Sequence, residues 1–274
     1  MTNSRLCILG AGNMGRALIG GLLRSGTRAE HLSVGESQPT ARAALARELG
    51  ITATADNRAA VTDAAIVVLA VKPQEAAAVL SPLAPVLGTA RPLLLSVLAG
   101  VRVAELEAWC GPGVPVLRAM PNRAALIGAG ATGLYAPPTV SSEQRAAAEQ
   151  VLKAVGEVVW VPGEAGLDVV TALSGSGPAY FFLLAELMAE AGVELGLEAV
   201  TARRLAATTL YGSGLLVQSG HADLTRLRAE VTSKGGTTEA ALAVFEDADL
   251  RATVRRALAA AVQRSAQLAA AATT

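Results

Sequence analysis

Charge, aromatic side chains, cysteine and histidine are all scarce in this chain of 274 residues. Only 17% of residues are charged, and 23 Lys+Arg balance 23 Asp+Glu. Aromatics make up 3%, and no basic run stands out. A nucleic-acid binder needs a basic stripe or stacking aromatics, so nucleic acid is not an expected partner. Cys7 and Cys110 are too few and too far apart for a disulfide scaffold, and they fit a reduced cytosol. His31 and His221 have no ligand pattern beside them, so no metal site is expected. A Gly-x-Ser-x-Gly elbow is also missing, which weakens a hydrolase reading. The apolar runs are broken by Pro, Gly or charge within about 18 residues, so no membrane span is expected. Residues Met1 to Arg5 show no leader pattern. A cytoplasmic protein is the resulting expectation.

Aliphatic side chains fill the space. The chain is 52% hydrophobic with mean hydropathy +0.43, the opposite of a disordered composition. Its length suits two domains. The first 160 residues or so alternate short apolar runs with helical patterns. Strands are expected at Leu6–Leu9, Leu32–Val34, Ile51–Thr54, Ala65–Val71, Leu93–Val97 and Val114–Leu117. Helices are expected at about Gly12–Ser25, Ala41–Leu49 and Glu75–Val86. Consecutive apolar positions between helices indicate a parallel sheet covered on both faces, hence a doubly wound α/β domain. After the break at Val161-Pro162-Gly163 only helical patterns remain: Ala179–Leu195, Ala199–Ser213, Thr237–Asp247 and Leu250–Ala272. The expected domains are therefore 1–162 and 163–274. Several of these helices are apolar nearly all round, so a second copy of the chain is expected to cover them. The end, from Ala269, is expected to fray.

Four motifs carry chemistry. Gly10-Ala11-Gly12-Asn13-Met14-Gly15 follows the first strand and opens the first helix. Gly10 suits a tight turn, Gly12 the approach of a pyrophosphate, and Gly15 close helix packing. Glu36, followed by Ser37, ends the second strand, where a ribose-binding carboxylate stands in such folds. Asn57, after the third strand, is placed to hold the adenosine from the other side. The second motif, Ala70-Val71-Lys72-Pro73, ends the fourth strand at the crevice edge, as do Ala99 and Gly100 beyond the fifth. On pattern alone, the reading of Lys72 as a solvated loop lysine is the favoured one. Asn122, in Met120-Pro121-Asn122, is either a turn residue or a polar anchor near the nicotinamide. The third motif, Ser174-Gly175-Ser176-Gly177-Pro178, is a helix start with or without direct chemistry. The fourth is Val231-Thr232-Ser233-Lys234-Gly235-Gly236-Thr237-Thr238, where two glycines and several hydroxyls lead into a helix. That is a helix cap or an anion site built from free N–H groups.

In this order, and across essentially the whole chain, these motifs resemble the pyrroline-5-carboxylate reductase family. The resemblance implies an N-terminal Rossmann-type doubly wound sheet that binds NADPH or NADH. It implies an all-α dimerisation domain that forms an interlocked homodimer, in some members a decamer of five dimers. The reaction implied is reduction of 1-pyrroline-5-carboxylate to L-proline. Gly10, Gly12, Asn13, Met14, Gly15, Glu36, Ser37, Asn57, Ala70–Pro73, Ala99, Gly100 and Asn122 would hold the cofactor. Val231, Ser233, Gly235, Gly236, Thr237 and Thr238 would hold the substrate, its carboxylate on the loop N–H groups. Thr238 would be catalytic, hydrogen-bonding the ring nitrogen. Lys234 stands where the family usually has Pro, Arg123-Ala124 where it has Thr-Pro, and Ala229 where an acidic residue is common. The stretch from His221 to Val231 is slightly longer. Glu36 favours NADH at least as much as NADPH. A β-hydroxyacid-dehydrogenase-like oxidoreductase shares the glycine opening but needs an interdomain lysine, and none lies between Lys153 and Lys234. A non-catalytic dinucleotide sensor would not need Ser233–Thr238.

Overall fold

The computed structural model describes residues 5–219 and 223–272. His221 lies outside them. Eight strands form one sheet: β1 (Arg5–Leu9), β2 (Leu32–Gly35), β3 (Ala53–Thr54), β4 (Ala64–Leu69), β5 (Leu93–Ser96), β6 (Val116–Met120), β7 (Gly130–Tyr135) and β8 (Gly156–Trp160). Their order is β3-β2-β1-β4-β5-β6-β7-β8. Every neighbouring pair is parallel except β6 and β7, which run antiparallel with Ala119 opposite Leu134. The central strands are apolar on successive positions because both faces are covered. Leu94 and Leu95 are both fully buried, one in each of the two large core clusters.

Helices α1 (Asn13–Arg24), α2 (Pro39–Leu49), α3 (Asn57–Val61), α4 (Ala76–Leu80), α5 (Ala84–Ala90), α6 (Val103–Cys110) and α7 (Ser142–Lys153) lie between the strands. Then come α8 (Gly166–Val170), a π-turn at Thr171–Gly175, α9 (Gly177–Glu194), α10 (Ala199–Ser219), α11 (Leu224–Glu230), α12 (Thr237–Asp247) and α13 (Leu250–Ala272).

The sheet is wider than its sequence suggests. β7 and β8 were not expected, and they make the sheet mixed rather than wholly parallel. β7 carries two glycines among its six residues, so it lacks the β-branched signature of a strand. The third strand is only Ala53–Thr54, and Ile51 serves as a core plug before it. The expected helix Glu75–Val86 is two short helices, α4 and α5, separated by a 3-10 turn at Ser81–Leu83, which contains Pro82.

The chain divides into two compact units. One comprises the residues up to Ser176 together with those from Ala261 onward; the other is Gly177–Ala260. This cut lies later than the break at Pro162 and returns the end of α13 to the first unit. Ala269 is accordingly buried at 3% exposure rather than frayed. In the second unit α9 and α10 pack through Ala189, Ala202 and Ala206. Much of its apolar surface stays open: Phe181, Phe182, Leu183 and Leu187 are all exposed.

Buried charge in the first unit is paired. Arg118 is 4% exposed and donates to Glu164 at 2.7 Å, and the same carboxylate oxygen accepts the Val103 N–H at 2.7 Å. Burial pushes the Arg118 pKa down, and Glu164 pulls it back up. Replacing Glu164 by Ala leaves a buried guanidinium without its counter-charge. Loss of one partner of such a pair costs about 3–5 kcal/mol. Glu164→Ala should therefore unfold at markedly lower denaturant or temperature than wild type, and an unchanged midpoint would contradict the assignment.

Candidate active site

The C-terminal ends of β1, β2 and β4 converge on a cleft of about 660 Å³. Gly10 adopts φ +94°, a left-handed value that glycine reaches without strain. Its N–H donates to the Gly35 carbonyl at 2.8 Å, joining the ends of β1 and β2. A Cβ at Gly10 would lie 2.8 Å from the Ala70 carbonyl oxygen, so the end of β4 also requires glycine here. Gly15 seats α1 directly on the Gly10 carbonyl, where no Cβ fits. Gly12 is the N-cap of α1, with no side-chain cap and open space where its Cβ would be. The orphan N–H groups of the first turn thus face a cradle free of side chains, which fits a dinucleotide pyrophosphate.

Gly10, Gly12, Asn13, Glu36, Ser37, Asn57, Ala70, Val71, Lys72 and Pro73 all line this cleft. Met14 and Gly15 do not; Met14 packs on the core and Gly15 on the turn. Sequence reasoning did not find Gly35, Gln38, Ala41, Glu75 or Val79, which line the cleft as well. Of these, Gly35 has a physical reason: its Cβ would collide with the Asn57 side chain.

Glu36 is more engaged than expected. Its Oε2 accepts the Ala11 N–H at 2.7 Å and its Oε1 accepts the Gln38 N–H at 2.8 Å. The carboxylate therefore clamps the glycine turn to the start of the next segment. Each oxygen retains a lone pair for a further donor such as a ribose hydroxyl. Arg42 donates to the carbonyls of Glu36 and Ser37, both at 2.8 Å, so it braces the same corner.

Ala99 and Gly100 line a second cavity, of about 670 Å³, with Pro73 shared between the two. Thr171, Ser176, Trp109, Arg264 and Ser265 also line it. Asn122 lines neither. Its Nδ2 donates to the Ser174 carbonyl at 3.1 Å, and its Oδ1 accepts the Ala131 N–H at 3.2 Å. The carboxamide thus ties β7 to the π-turn, a structural use of the residue proposed as a nicotinamide anchor. The third motif is the π-turn itself, running into Gly177 at the head of α9.

In the second unit, Gly235 takes φ +72° and its N–H donates to Glu239 Oε2 at 2.6 Å. The Gly236 N–H donates to the Ser233 carbonyl at 3.0 Å. Two of the N–H groups expected to receive an anion are therefore already paired. Gly236 is the N-cap of α12 and supplies no side-chain cap. The first-turn N–H groups, beginning at Thr237 and Thr238, are the ones without intrahelical acceptors. Val231 and Ser233 are exposed and Thr238 is half-buried.

Among the described residues, no group of three His, Cys, Asp or Glu could hold a metal. Burial pushes the Cys7 thiol up to about 12 and Cys110 to about 11, so neither is a nucleophile near neutral pH. One helical run, 166–194, is long and apolar enough to cross a membrane by length and composition.

Fold and cleft define a dinucleotide-binding α/β protein of the doubly wound type. Comparison with known proteins narrows this. Residues 5–100 match the family described as NADP oxidoreductase coenzyme F420-dependent, and residues 164–268 match pyrroline-5-carboxylate reductase dimerisation. The chain is 46% identical to the pyrroline-5-carboxylate reductase of Pseudomonas aeruginosa over 98% of both chains. A solved pyrroline-5-carboxylate reductase from Coxiella burnetii superposes with TM-score 0.94 at 38% identity, covering 97% of this chain and 99% of that one. The Plasmodium falciparum enzyme, solved with NADP bound, superposes with TM-score 0.82 at 28% identity, covering 98% and 99%. The chain belongs to the pyrroline-5-carboxylate reductase family.

The Glu36 clamp can be tested without turnover. Glu36→Ala strands the N–H of Ala11, a residue 3% exposed, and an unsatisfied buried donor costs about 1–3 kcal/mol. Glu36→Gln keeps an acceptor oxygen and should retain most of that stability. Equal melting temperatures for wild type and Glu36→Ala would show that the clamp contributes nothing.

Proposed function

We propose that the protein reduces 1-pyrroline-5-carboxylate to L-proline with NADPH or NADH, the last step of proline biosynthesis. The observation that carries this reading is the full-length relationship to named reductases, 46% identical over 98% of the chain. The cleft at Gly10–Gly12 supports it, because its open backbone cradle suits the cofactor's pyrophosphate. When bound, the reduced nicotinamide supplies a hydride to the imine carbon. The chain's own residues bind, orient and exclude water. The α12 N-terminus, at Thr237 and Thr238, receives the substrate carboxylate through backbone N–H groups and the helix dipole. The Thr238 hydroxyl hydrogen-bonds the ring nitrogen as it becomes an amine. Orientation of the two reactants is worth roughly 7–11 kcal/mol, enough to make covalent help from the protein unnecessary.

The open apolar faces of the second unit serve self-association. A run such as 166–194, with only 22% of its most apolar window buried, faces a partner copy rather than lipid in this reading. Substrate loop and cofactor cleft then come from partner chains of an interlocked homodimer, with assembly to five dimers as a further step. The location that follows is the cytoplasm.

The direct experiment mixes purified protein, 1-pyrroline-5-carboxylate and NADH or NADPH and follows loss of reduced-nicotinamide absorbance. No oxidation with either cofactor would refute the reading. Thr238→Ala should lower kcat by about 10- to 150-fold, the worth of a hydrogen bond to a group that changes charge, with cofactor affinity unchanged. An unaltered kcat removes Thr238 from the chemistry.

Cofactor preference follows from the charge of Glu36. The carboxylate accepts a ribose 2′-hydroxyl and repels a 2′-phosphate, so NADH should serve at least as well as NADPH. Glu36→Gln keeps the acceptor for the Ala11 N–H, gives up the one for the exposed Gln38 N–H, and removes the repulsion, which should move kcat/KM toward NADPH by about 1 kcal/mol, the upper end for an exposed charge pair. A strong NADPH preference in wild type, unchanged in Glu36→Gln, would place Glu36 away from the ribose.

A further inference from the structure

Asp168 in α8 is 7% exposed and is satisfied from two distant parts of the chain. Arg102 Nη2 donates to its Oδ2 at 2.7 Å, and Ser265 Oγ donates to its Oδ1 at 2.8 Å. Ser265 is itself 7% exposed and lies on α13. About one turn further along α13, Ala269 backs onto Gly100, where a Cβ would lie 3.6 Å from the Ala269 nitrogen. On the other side of the same segment, Glu164 holds the Val103 N–H. The stretch from Ala99 to Val103 is therefore gripped by two carboxylates and by the end of α13. Ala99 and Gly100 wall the second cavity, and Ser265 lines it too. Pro73 connects that cavity to the dinucleotide cleft.

We infer that Asp168 and Ser265 are positioning residues for the reduction. By tying α13 to the Ala99–Gly100 turn they fix the wall of the cavity that the reacting end of the cofactor enters. This rests on the reading of the protein as an NAD(P)H-dependent imine reductase. The chemistry supports a positioning role over plain stabilisation. The buried Asp168 carboxylate and the half-buried Arg102 guanidinium give up hydration that packed apolar side chains of the same volume would not. What they provide is direction: both Asp168 oxygens are committed to single partners, so α13 can dock at one register only. In a closed site small displacements matter, since about 1 Å of misplacement costs up to about a hundredfold in rate.

Trp109 lines the same cavity, and Trp160 is the one other tryptophan in the chain. In a Trp160→Phe background, tryptophan emission therefore reports on this cavity, and NADH bound with its nicotinamide there quenches it. Ser265→Ala should weaken that quenching at saturating NADH and lower kcat about tenfold, while the calorimetric Kd for NADH stays at the parent value. Ser265→Thr, which keeps the hydroxyl, should restore both. Asp168→Asn, which keeps the shape and loses the charge, should act in the same direction as Ser265→Ala. If Ser265→Ala retains full quenching and full kcat, the inference is wrong. It is equally wrong if the only change is a lower melting temperature with a smaller active fraction. Normal quenching in the parent without imine reduction would instead sink the functional reading alone, because the quenching series tests the cavity wall independently of turnover.

Discussion

The turn between β1 and α1 is the constraint on which the site depends. Three strand ends meet there at distances that exclude side chains. The end of β4 approaches Gly10 from one side, and the Gly35 carbonyl holds the Gly10 amide from another. The Gly10 carbonyl in turn supports Gly15 in the first turn of α1. Only glycine at these positions lets helix and strands close to this degree, and only that closure aims the first N–H groups of α1 into the cleft. The Glu36 corner of the cleft follows from the same turn, because Glu36 reaches Ala11 only when β1 and β2 end in register, with Leu9 opposite Gly35.

How much of this could be read from the sequence varies by element. β1, β2, β4 and β5 are legible as apolar runs, and each lies within two residues of its expected place. α12 and α13 match their expected bounds. The glycine turn is legible because backbone requirements leave a residue signature. β7 and β8 are not, since Gly130–Tyr135 is held by its pairing with β6 rather than by local propensity. Asn122 illustrates a different limit. A carboxamide at a strand end reads equally as ligand anchor or structural tie, and only the partners Ser174 and Ala131 decide. The Asp168–Ser265 bond joins residues 97 apart and leaves no local pattern at all.

The boundary between the two halves shows why composition and compactness divide the chain differently. Texture changes at Trp160, and the dimerisation family match begins at residue 164. Yet α8 and the end of α13 belong to the sheet-bearing unit. Both are tied there by polar groups: half-buried Glu164 and buried Asp168 at one end of the matched segment, buried Ser265 at the other. The segment between them keeps its large apolar side chains exposed within one chain. Patches of that size on a single protein mark a surface built for a partner.

Charge is rare in this chain, and three carboxylates that are buried or half-buried each have more than one task. Glu164 pairs with Arg118 and also caps the start of α6 through Val103. Asp168 orients Arg102 and fixes Ser265. Glu36 serves the Ala11 and Gln38 amides and lines the cleft. If the cleft holds the cofactor as proposed, the last case has a consequence for specificity. A substitution that admits a 2′-phosphate by deleting the carboxylate also strips the acceptor from a buried N–H, so the gain at the ligand is offset by a loss in the turn that binds it. Amide replacement eases the conflict, because its one oxygen can still serve the buried Ala11 N–H while only the exposed Gln38 N–H loses its acceptor. Cofactor preference at this corner is thus bounded by the geometry of the glycine turn, and a side chain that changes it must still reach Ala11.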